Sequence, residues 1–238
     1  MESPKHHKSR EDIQLERMLF FTDGIFAISI TLLVIEIKVP ALSTHTDKAL
    51  LDYLSETMLR LFGFLISFGI VGHYWAVHHR IFGYVKKCTP ALLWINLAFL
   101  LSVVILPFSS GLLAEYASDL NMRVPYVVYV MNMLFTGAMN CWLWQYVSKP
   151  KNNMLTHAIS RPRIKLGMYR SLTPPLVFTL SMCLSFIFPL TSRFIPLLIP
   201  FILHWGMKKL EKRANRQEEL QNERAPEVIE LHEPHMVS

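Results

Sequence analysis

The sequence predicts an all-α membrane protein with six transmembrane helices. Of its 238 residues, 52% are hydrophobic and only 18% are charged, whereas a typical soluble domain carries about 25% charged residues. Most of the charged residues lie before Met18, in a few short patches, and from Lys208 onward, with long apolar stretches between them. This pattern excludes a soluble globular enzyme and a disordered chain, and we expect no enzymatic activity.

Six apolar stretches are candidate spans, because a helix needs about 20 apolar residues to cross a bilayer. They are Leu19–Val39, Leu59–Ala76, Leu92–Leu113, Val124–Val147, Leu172–Leu190 and Phe194–Met207. The residues before the first stretch lack the apolar core and cleavage site of a signal peptide, so we expect this stretch to remain as a span. The sixth stretch is short and contains Pro196 and Pro200, which predicts a tilted or kinked span or a re-entrant segment.

The distribution of Lys and Arg predicts the orientation of these spans. Most of the 24 basic residues precede the first span, separate the second from the third and the fourth from the fifth, or follow the sixth. The opposite side receives only Lys38, Lys48, Arg60, Arg123 and Arg193. The positive-inside rule then makes both termini cytoplasmic. Because this requires an even number of crossings, it favours a sixth span.

The chain therefore divides into three parts: a cytoplasmic N-terminus (1–17), a six-span transmembrane domain (18–207) and a charged cytoplasmic tail (208–238). In the tail, we expect Lys208–Glu223 to extend the sixth helix and Arg224–Ser238 to be disordered.

Membrane topology explains the net charge of +6, so we expect no nucleic-acid partner. The three cysteines are far apart in sequence and show no metal-ligand spacing. We expect no metal and no cofactor.

Polar side chains within the first three spans form one candidate site. Asp23 lies about 6 Å inside the first span, at 1.5 Å per residue, and needs a partner there. Depth predicts a single polar layer in the cytoplasmic third, with Arg17 at its edge. Its members are Thr22, Asp23, His73, Trp75, His78, His79 and Asn96. Such a layer would either join helices through hydrogen bonds or use its histidines for protons or a metal, and the spacing leaves both open.

One face of the first span forms a second candidate site. Phe21, Gly24, Ile28, Thr31 and Ile35 recur at intervals of three and four, so they form a single stripe. Asp23 falls roughly on the opposite side. An apolar stripe with a central hydroxyl is typical of a lipid-facing or packed surface. It would also suit a narrow pore whose aliphatic side chains gate by dewetting.

The start of the first span resembles a known signature. Residues Arg17 to Gly24 read R-x-x-x-F-T-D-G, which is similar to the R-x-x-x-F-[ST]-D-G motif that opens the first helix in the transmembrane protein 175 family of potassium channels. Thr22 replaces the commoner Ser and keeps the hydroxyl. The six spans, the His- and Trp-rich end of the second span and the Leu93–Leu97 segment also resemble that family, over residues 15–207.

The resemblance implies a homotetramer whose four first helices line a central pore without a T-V-G-Y-G filter. It implies that Ile28 forms the constriction, that Thr31 contacts partly hydrated potassium and that Ile35 continues the stripe outward. It assigns structural roles, in packing the pore helix against other helices, to the signature residues Arg17, Phe21, Thr22, Asp23 and Gly24.

The resemblance further implies a potassium-preferring leak channel in a prokaryotic plasma membrane. One alternative is a proton-permeable or proton-regulated channel of the same fold, because an Asp and His layer can titrate near neutral pH. Another is a secondary transporter, although the sequence lacks the internal repeat that many transporters show. The expected partners are potassium ions, with sodium or protons as further candidates, the lipid bilayer and other copies of the chain.

Overall fold

The computed structural model describes residues 10–35, 37, 39, 42, 44–116, 119, 122–156, 159–192 and 194–230. Residues 1–9 of the predicted N-terminus and 231–238 of the predicted tail lie outside the described residues. The described part is helical apart from short connections and one isolated β-bridge between Val85 and Leu155.

The long helices come first along the chain and are followed by a broken segment and a final helix. The long helices are α1 (Arg10–Ile35), α2 (Asp47–Phe82), α3 (Pro90–Glu115), α4 (Val124–Ser148) and α5 (Arg161–Leu184). A 3₁₀ turn, Pro150–Asn152, lies between α4 and α5. The broken segment and final helix comprise α6 (Pro189–Ser192), a 3₁₀ turn (Ile195–Leu198), α7 (Ile199–Phe201), a π-helical turn (Ile202–Gly206) and α8 (Lys208–Glu230).

Local sequence explains where several helices begin. The side chains of Thr46, Thr89 and Ser160 cap α2, α3 and α5, each accepting a hydrogen bond from a backbone N–H in the first turn. A side-chain oxygen in this position satisfies one of the free donors of a helix start. Prolines near the starts of α3, α4 and α5 suit positions whose N–H would have no helical partner.

In the described part of the chain, four helical segments are long and apolar enough to cross a membrane: α1, Arg60–Phe82 of α2, α3 and α4. Three helices differ from the predicted spans: α1 ends at Ile35 instead of Val39, α2 continues beyond Ala76 to Phe82, and α5 spans Arg161–Leu184 instead of Leu172–Leu190. Hydropathy locates apolar stretches, but capping and backbone hydrogen bonding determine where a helix begins and ends.

The sixth apolar stretch is not a regular helix. Pro196 lies in the 3₁₀ turn and Pro200 in α7, and proline lacks the N–H that an α-helix interior requires. The tail beyond it is helical through Glu230, so the expected disorder is wrong for residues 224–230. Its Glu, Lys, Arg and Gln residues are good helix formers.

Contacts bring the most basic connections to one end of the bundle, which we call the basic end. The α2–α3 and α4–α5 connections meet there, with the Lys86 N–H donating to the Met154 carbonyl at 2.9 Å. In α1, the Met18 sulfur lies 4.0 Å from that of Cys88. At the other end, Arg60 of α2 forms an ion pair with Glu115 of α3 at 3.3 Å. This grouping is the one that the positive-inside rule requires.

Two buried clusters form the core. The larger contains Phe26, Tyr74, Phe99 and Phe178 from four different helices, and the smaller lies at the basic end around Trp144. Helices α4 and α5 approach closely because of two glycines. A Cβ atom on Gly137 would lie 2.5 Å from Cγ of Pro175, and one on Gly167 would lie 2.5 Å from Cε2 of Trp144.

Candidate functional site

Helix α1 has a buried face and an exposed face. The buried face packs against α2 and α3 and consists of Met18, Thr22, Phe26, Ser29 and Leu33. These residues recur at intervals of three and four, as one side of a helix does. The buried face therefore fixes the rotation of α1 about its own axis, and with it the direction of the opposite side.

The predicted stripe lies on the exposed face. Ile28 is 59% exposed and Ile35 is 68% exposed, and Phe21, Gly24 and Thr31 are exposed as well. A single copy of the chain thus leaves this apolar surface uncovered, so lipid or other copies of the chain must cover it in a membrane. The geometry brings all five stripe residues to one side.

The Thr31 hydroxyl is oriented by its own helix. Its Oγ1 donates to the Ile28 carbonyl at 2.8 Å. A hydroxyl has one proton and two lone pairs, so this bond uses the proton and leaves the oxygen able to act as an electron-pair donor on the exposed face. Such an oxygen can approach a cation or accept a hydrogen bond from its hydration water.

Behind the stripe, three buried side chains form a directed chain of hydrogen bonds between helices. His78 of α2 donates from Nε2 to Oδ1 of Asn96 at 2.8 Å. Asn96 of α3 donates from Nδ2 to Oγ1 of Thr22 at 2.9 Å. Thr22 of α1 donates to the Met18 carbonyl at 2.9 Å. The His78 ring also stacks on Phe99, with centroids 5.4 Å apart. We call Thr22, His78 and Asn96 the polar chain.

A second contact joins α1 to α2 nearer the surface. The indole Nε1 of Trp75 donates to Oδ1 of Asp23 at 2.9 Å. The His79 ring stacks on Trp75, with centroids 5.6 Å apart and planes 29° from parallel. Asp23 therefore has a partner on a neighbouring helix, and that partner is an uncharged N–H donor.

The single layer expected from depth is instead three separate contacts. His73 faces away from the polar chain and donates from Nε2 to the Arg170 carbonyl of α5 at 3.1 Å. Successive residues of a helix point about 100° apart, so residues at similar depth on α2 contact different helices. Depth along the sequence could not predict which helix each of these side chains faces.

Arg17 differs from the expectation that it joins the layer. It is exposed, and within the described residues no hydrogen bond links it to the polar chain. It lies on the same side of α1 as the stripe, one turn before Phe21. There it lines a surface cavity of about 530 Å³ between the starts of α1 and α3, together with Asn96 and Leu93.

The sequence analysis missed a set of uncharged polar contacts that join helices. Ser67 of α2 bonds to Ser110 of α3 at 2.8 Å and to Tyr129 of α4 at 3.1 Å. Asn140 of α4 donates to Ser171 of α5 at 2.6 Å. The signal was the presence of Ser, Asn and Tyr within apolar stretches. This sequence signal is weak, because a hydroxyl within a helix can instead donate to a backbone carbonyl of the same helix, as Thr179 does to that of Pro175.

Comparison with known proteins gives related chains with the same fold. Residues 17–107 match the family described as the endosomal/lysosomal potassium channel TMEM175. A potassium channel of Chamaesiphon minutus is 32% identical over 74% of this chain and 87% of its own length. The rat endosomal/lysosomal proton channel TMEM175 is 26% identical over 92% of this chain and 44% of its own length.

The fold also matches a solved structure. The crystal structure of a lysosomal potassium-selective channel TMEM175 homolog from Chamaesiphon minutus has a TM-score of 0.67 and 28% identity to this chain. The match covers 85% of this chain and 98% of that one.

Proposed function

The chain belongs to the TMEM175 family, and from this membership we propose that it is a potassium-preferring leak channel and not an enzyme. In the proposed assembly, four copies surround a central pore lined by the α1 stripe. The observation that carries the proposal is the exposure of Ile28, Thr31 and Ile35 on one side of α1, while the other side packs within the chain.

In this proposal the pore is narrowest at a ring of four Ile28 side chains. An aliphatic ring offers a cation no ligand, so when closed it is a desolvation barrier, and when slightly wider it admits water and hydrated ions. Thr31 lies about one turn further along the stripe and presents its hydroxyl oxygen toward the axis. Selectivity from hydroxyls and water should be weaker than selectivity from a ring of backbone carbonyls.

The proposed orientation places the basic end in the cytoplasm of a prokaryotic cell, with the channel in the plasma membrane. Among the described residues four segments meet the criterion for a span, and we assign the fifth crossing to α5 and the sixth to the broken segment before α8. Both termini are then cytoplasmic. The division into residues 1–17, 18–207 and 208–238 follows from this orientation.

We assign a structural role to the polar chain and to the Asp23–Trp75 contact. A proton relay needs groups that can accept a proton and pass it on. The polar chain instead runs through an amide and ends at the Met18 backbone carbonyl. Its hydrogen bonds are well placed to hold α1 against α2 and α3, which keeps the stripe turned away from the chain.

Proton permeation is the second candidate function, favoured by the description of the rat relative as a proton channel. Protons would use the same pore, along water molecules admitted by the Ile28 ring. A secondary transporter is a weaker alternative, because its site would require broken helices paired across a repeat. Only one broken apolar segment is found in the described chain.

Flux into liposomes that contain the purified full-length protein tests the proposal. Potassium flux should exceed sodium flux, and N-methyl-glucamine should not permeate. A pH-sensitive dye in the same vesicles would measure proton flux. A well-folded protein that passes no cation would contradict the channel function, and proton flux without potassium flux would favour the second candidate.

A further inference from the structure

Helix α8 has two chemically different sides. One side contacts α5 and carries Glu211, Ala214 and Glu218, of which Ala214 is buried. The opposite side carries a cluster of basic residues, all exposed, which we call the basic face. It consists of Lys208, Lys209, Lys212, Arg213 and Arg216.

Two ion pairs hold α8 in this rotation. Arg163 of α5 bonds Oε2 of Glu218 at 2.6 Å, and Arg170 of α5 bonds Oε1 of Glu211 at 2.9 Å. The partners are seven residues apart on both helices and run in opposite directions, so α5 and α8 pair side by side. Arg163 also donates to Asn215 at 2.8 Å. These contacts turn the basic face away from the protein.

Within the described side chains, the basic face is not neutralised by ion pairs. Among the described side chains, none forms an ion pair with any of its five members, while both Glu211 and Glu218 are engaged by α5. Glu219 lies at its edge and is exposed. A surface that groups four or five cations at short spacing raises the local positive potential and attracts anions.

The basic face lies at the start of α8, close to the expected membrane surface. Trp205, which is 65% exposed, lies three residues before the start of α8. Trp94 near the start of α3 and Trp142 near the end of α4 are also exposed at the basic end. Exposed tryptophans near the ends of apolar helices are typical of a membrane–water interface. At 1.5 Å per residue, Lys212 lies only about 6 Å beyond Lys208, within a Debye length of about 8–10 Å.

We propose that the basic face of α8 binds the headgroups of anionic phospholipids in the leaflet at the basic end. Juxtamembrane clusters of four or more basic residues attract such lipids, with a contribution from each residue near the surface. The proposal rests on the membrane orientation proposed above, but not on ion conduction. It assigns α8 a role beyond membrane topology, because the ion pairs with α5 hold its cations toward the lipid.

The test measures lipid bound to the purified full-length protein. The protein in neutral detergent is mixed with equal amounts of phosphatidylglycerol and phosphatidylcholine that carry the same acyl chains, and the lipids that co-elute are quantified at 50 mM and 500 mM NaCl. The test variant is Lys209→Gln/Lys212→Gln/Arg216→Gln. The matched control, Lys149→Gln/Lys151→Gln/Lys165→Gln, removes three exposed cations of the basic end outside α8.

The wild-type protein and the control should enrich phosphatidylglycerol at low salt, and the test variant should reduce that enrichment by about tenfold. High salt should weaken the enrichment in every protein that shows it. Absence of enrichment in the wild type would overturn the proposal, as would equal loss in both variants or full retention in the test variant. Binding of soluble polyglutamate without phosphatidylglycerol enrichment would instead identify an acidic protein surface. Because no outcome depends on flux, failure here would leave the channel proposal intact.

Discussion

At the residue scale, three consecutive positions of α1 meet three different surroundings. Phe21 lies on the exposed stripe, Thr22 accepts a hydrogen bond from buried Asn96, and Asp23 accepts one from Trp75. Because neighbours on a helix point about 100° apart, a short motif can specify the stripe, the α3 contact and the α2 contact together. Neighbouring residues within the short Phe-Thr-Asp-Gly run can therefore determine three different contacts of α1.

The polar chain predicts a difference between two threonines that look alike locally. Thr22 and Thr179 each donate to a carbonyl four residues earlier, but only Thr22 also accepts a bond from another helix. Thr22→Val leaves an Asn96 N–H buried without a partner and should lower the free energy of unfolding by about 1–3 kcal/mol. Thr179→Val should change it much less. Thermal unfolding of the detergent-purified proteins measures both, and equal midpoints would contradict a role for the polar chain.

At the scale of elements, α5 connects the bundle to α8. It approaches α4 closely where Pro175 faces Gly137 and where Gly167 faces Trp144. Its N-terminal half also carries Arg163 and Arg170, which pair with α8. The position of α8 therefore depends on α5. The position of α5 depends in turn on the glycines at its contact with α4.

The approach of α4 and α5 predicts that Gly167 cannot be enlarged. An added Cβ would lie 2.5 Å from the ring of Trp144, which is buried and donates to the Ile164 carbonyl at 2.8 Å. Gly167→Ala should cost about 1–3 kcal/mol through overpacking. Gly69→Ala is the control, since no heavy atom lies within 4 Å of its added Cβ, and thermal unfolding should show no loss for it. A Gly167→Ala midpoint at or above that of the wild type would contradict this packing.

The α5–α8 pairing predicts different effects for two adjacent glutamates. Glu218→Gln weakens a charge-assisted contact with Arg163 worth about 1–3 kcal/mol, whereas Glu219→Gln changes an exposed residue with no partner on α5. Limited tryptic digestion of the folded protein should cut α8 of Glu218→Gln roughly tenfold faster, since 1.4 kcal/mol is a factor of ten in an equilibrium constant. Equal cleavage rates in both variants would show that the ion pair does not hold α8.

At the scale of the whole molecule, a single chain leaves the α1 stripe exposed although the other side of α1 is well packed. A lipid-facing helix needs no particular polar group on its outer side, yet this stripe contains Thr31 midway along its length. A four-fold arrangement would bring four such stripes together and surround a narrow apolar path. The proposed four-fold assembly would thus account for a surface that one chain leaves uncovered.

The sequence predicts some features of this molecule much better than others. Apolar length identified α1, α2, α3 and α4, and the basic residues predicted which connections share one end, because both signals are local. The prolines indicated an irregular sixth stretch. By contrast, the split of His73, Trp75 and His78 among three contacts depends on the rotation of α2 against its neighbours. The α5–α8 ion pairs join residues far apart in sequence, and no local pattern marks them as partners.

The most direct measurement for the central claim compares potassium flux through Ile28→Asn and Val34→Asn in liposomes. Both residues are exposed on α1, but Val34 lies off the stripe, so the same polar substitution is placed on two different sides of one helix. If the stripe lines the pore, Ile28→Asn wets the constriction and should increase potassium flux or reduce its preference over sodium, while Val34→Asn leaves both close to wild type. Unchanged flux in Ile28→Asn, or an equal effect in both variants, would contradict the claim that this face of α1 forms the pore.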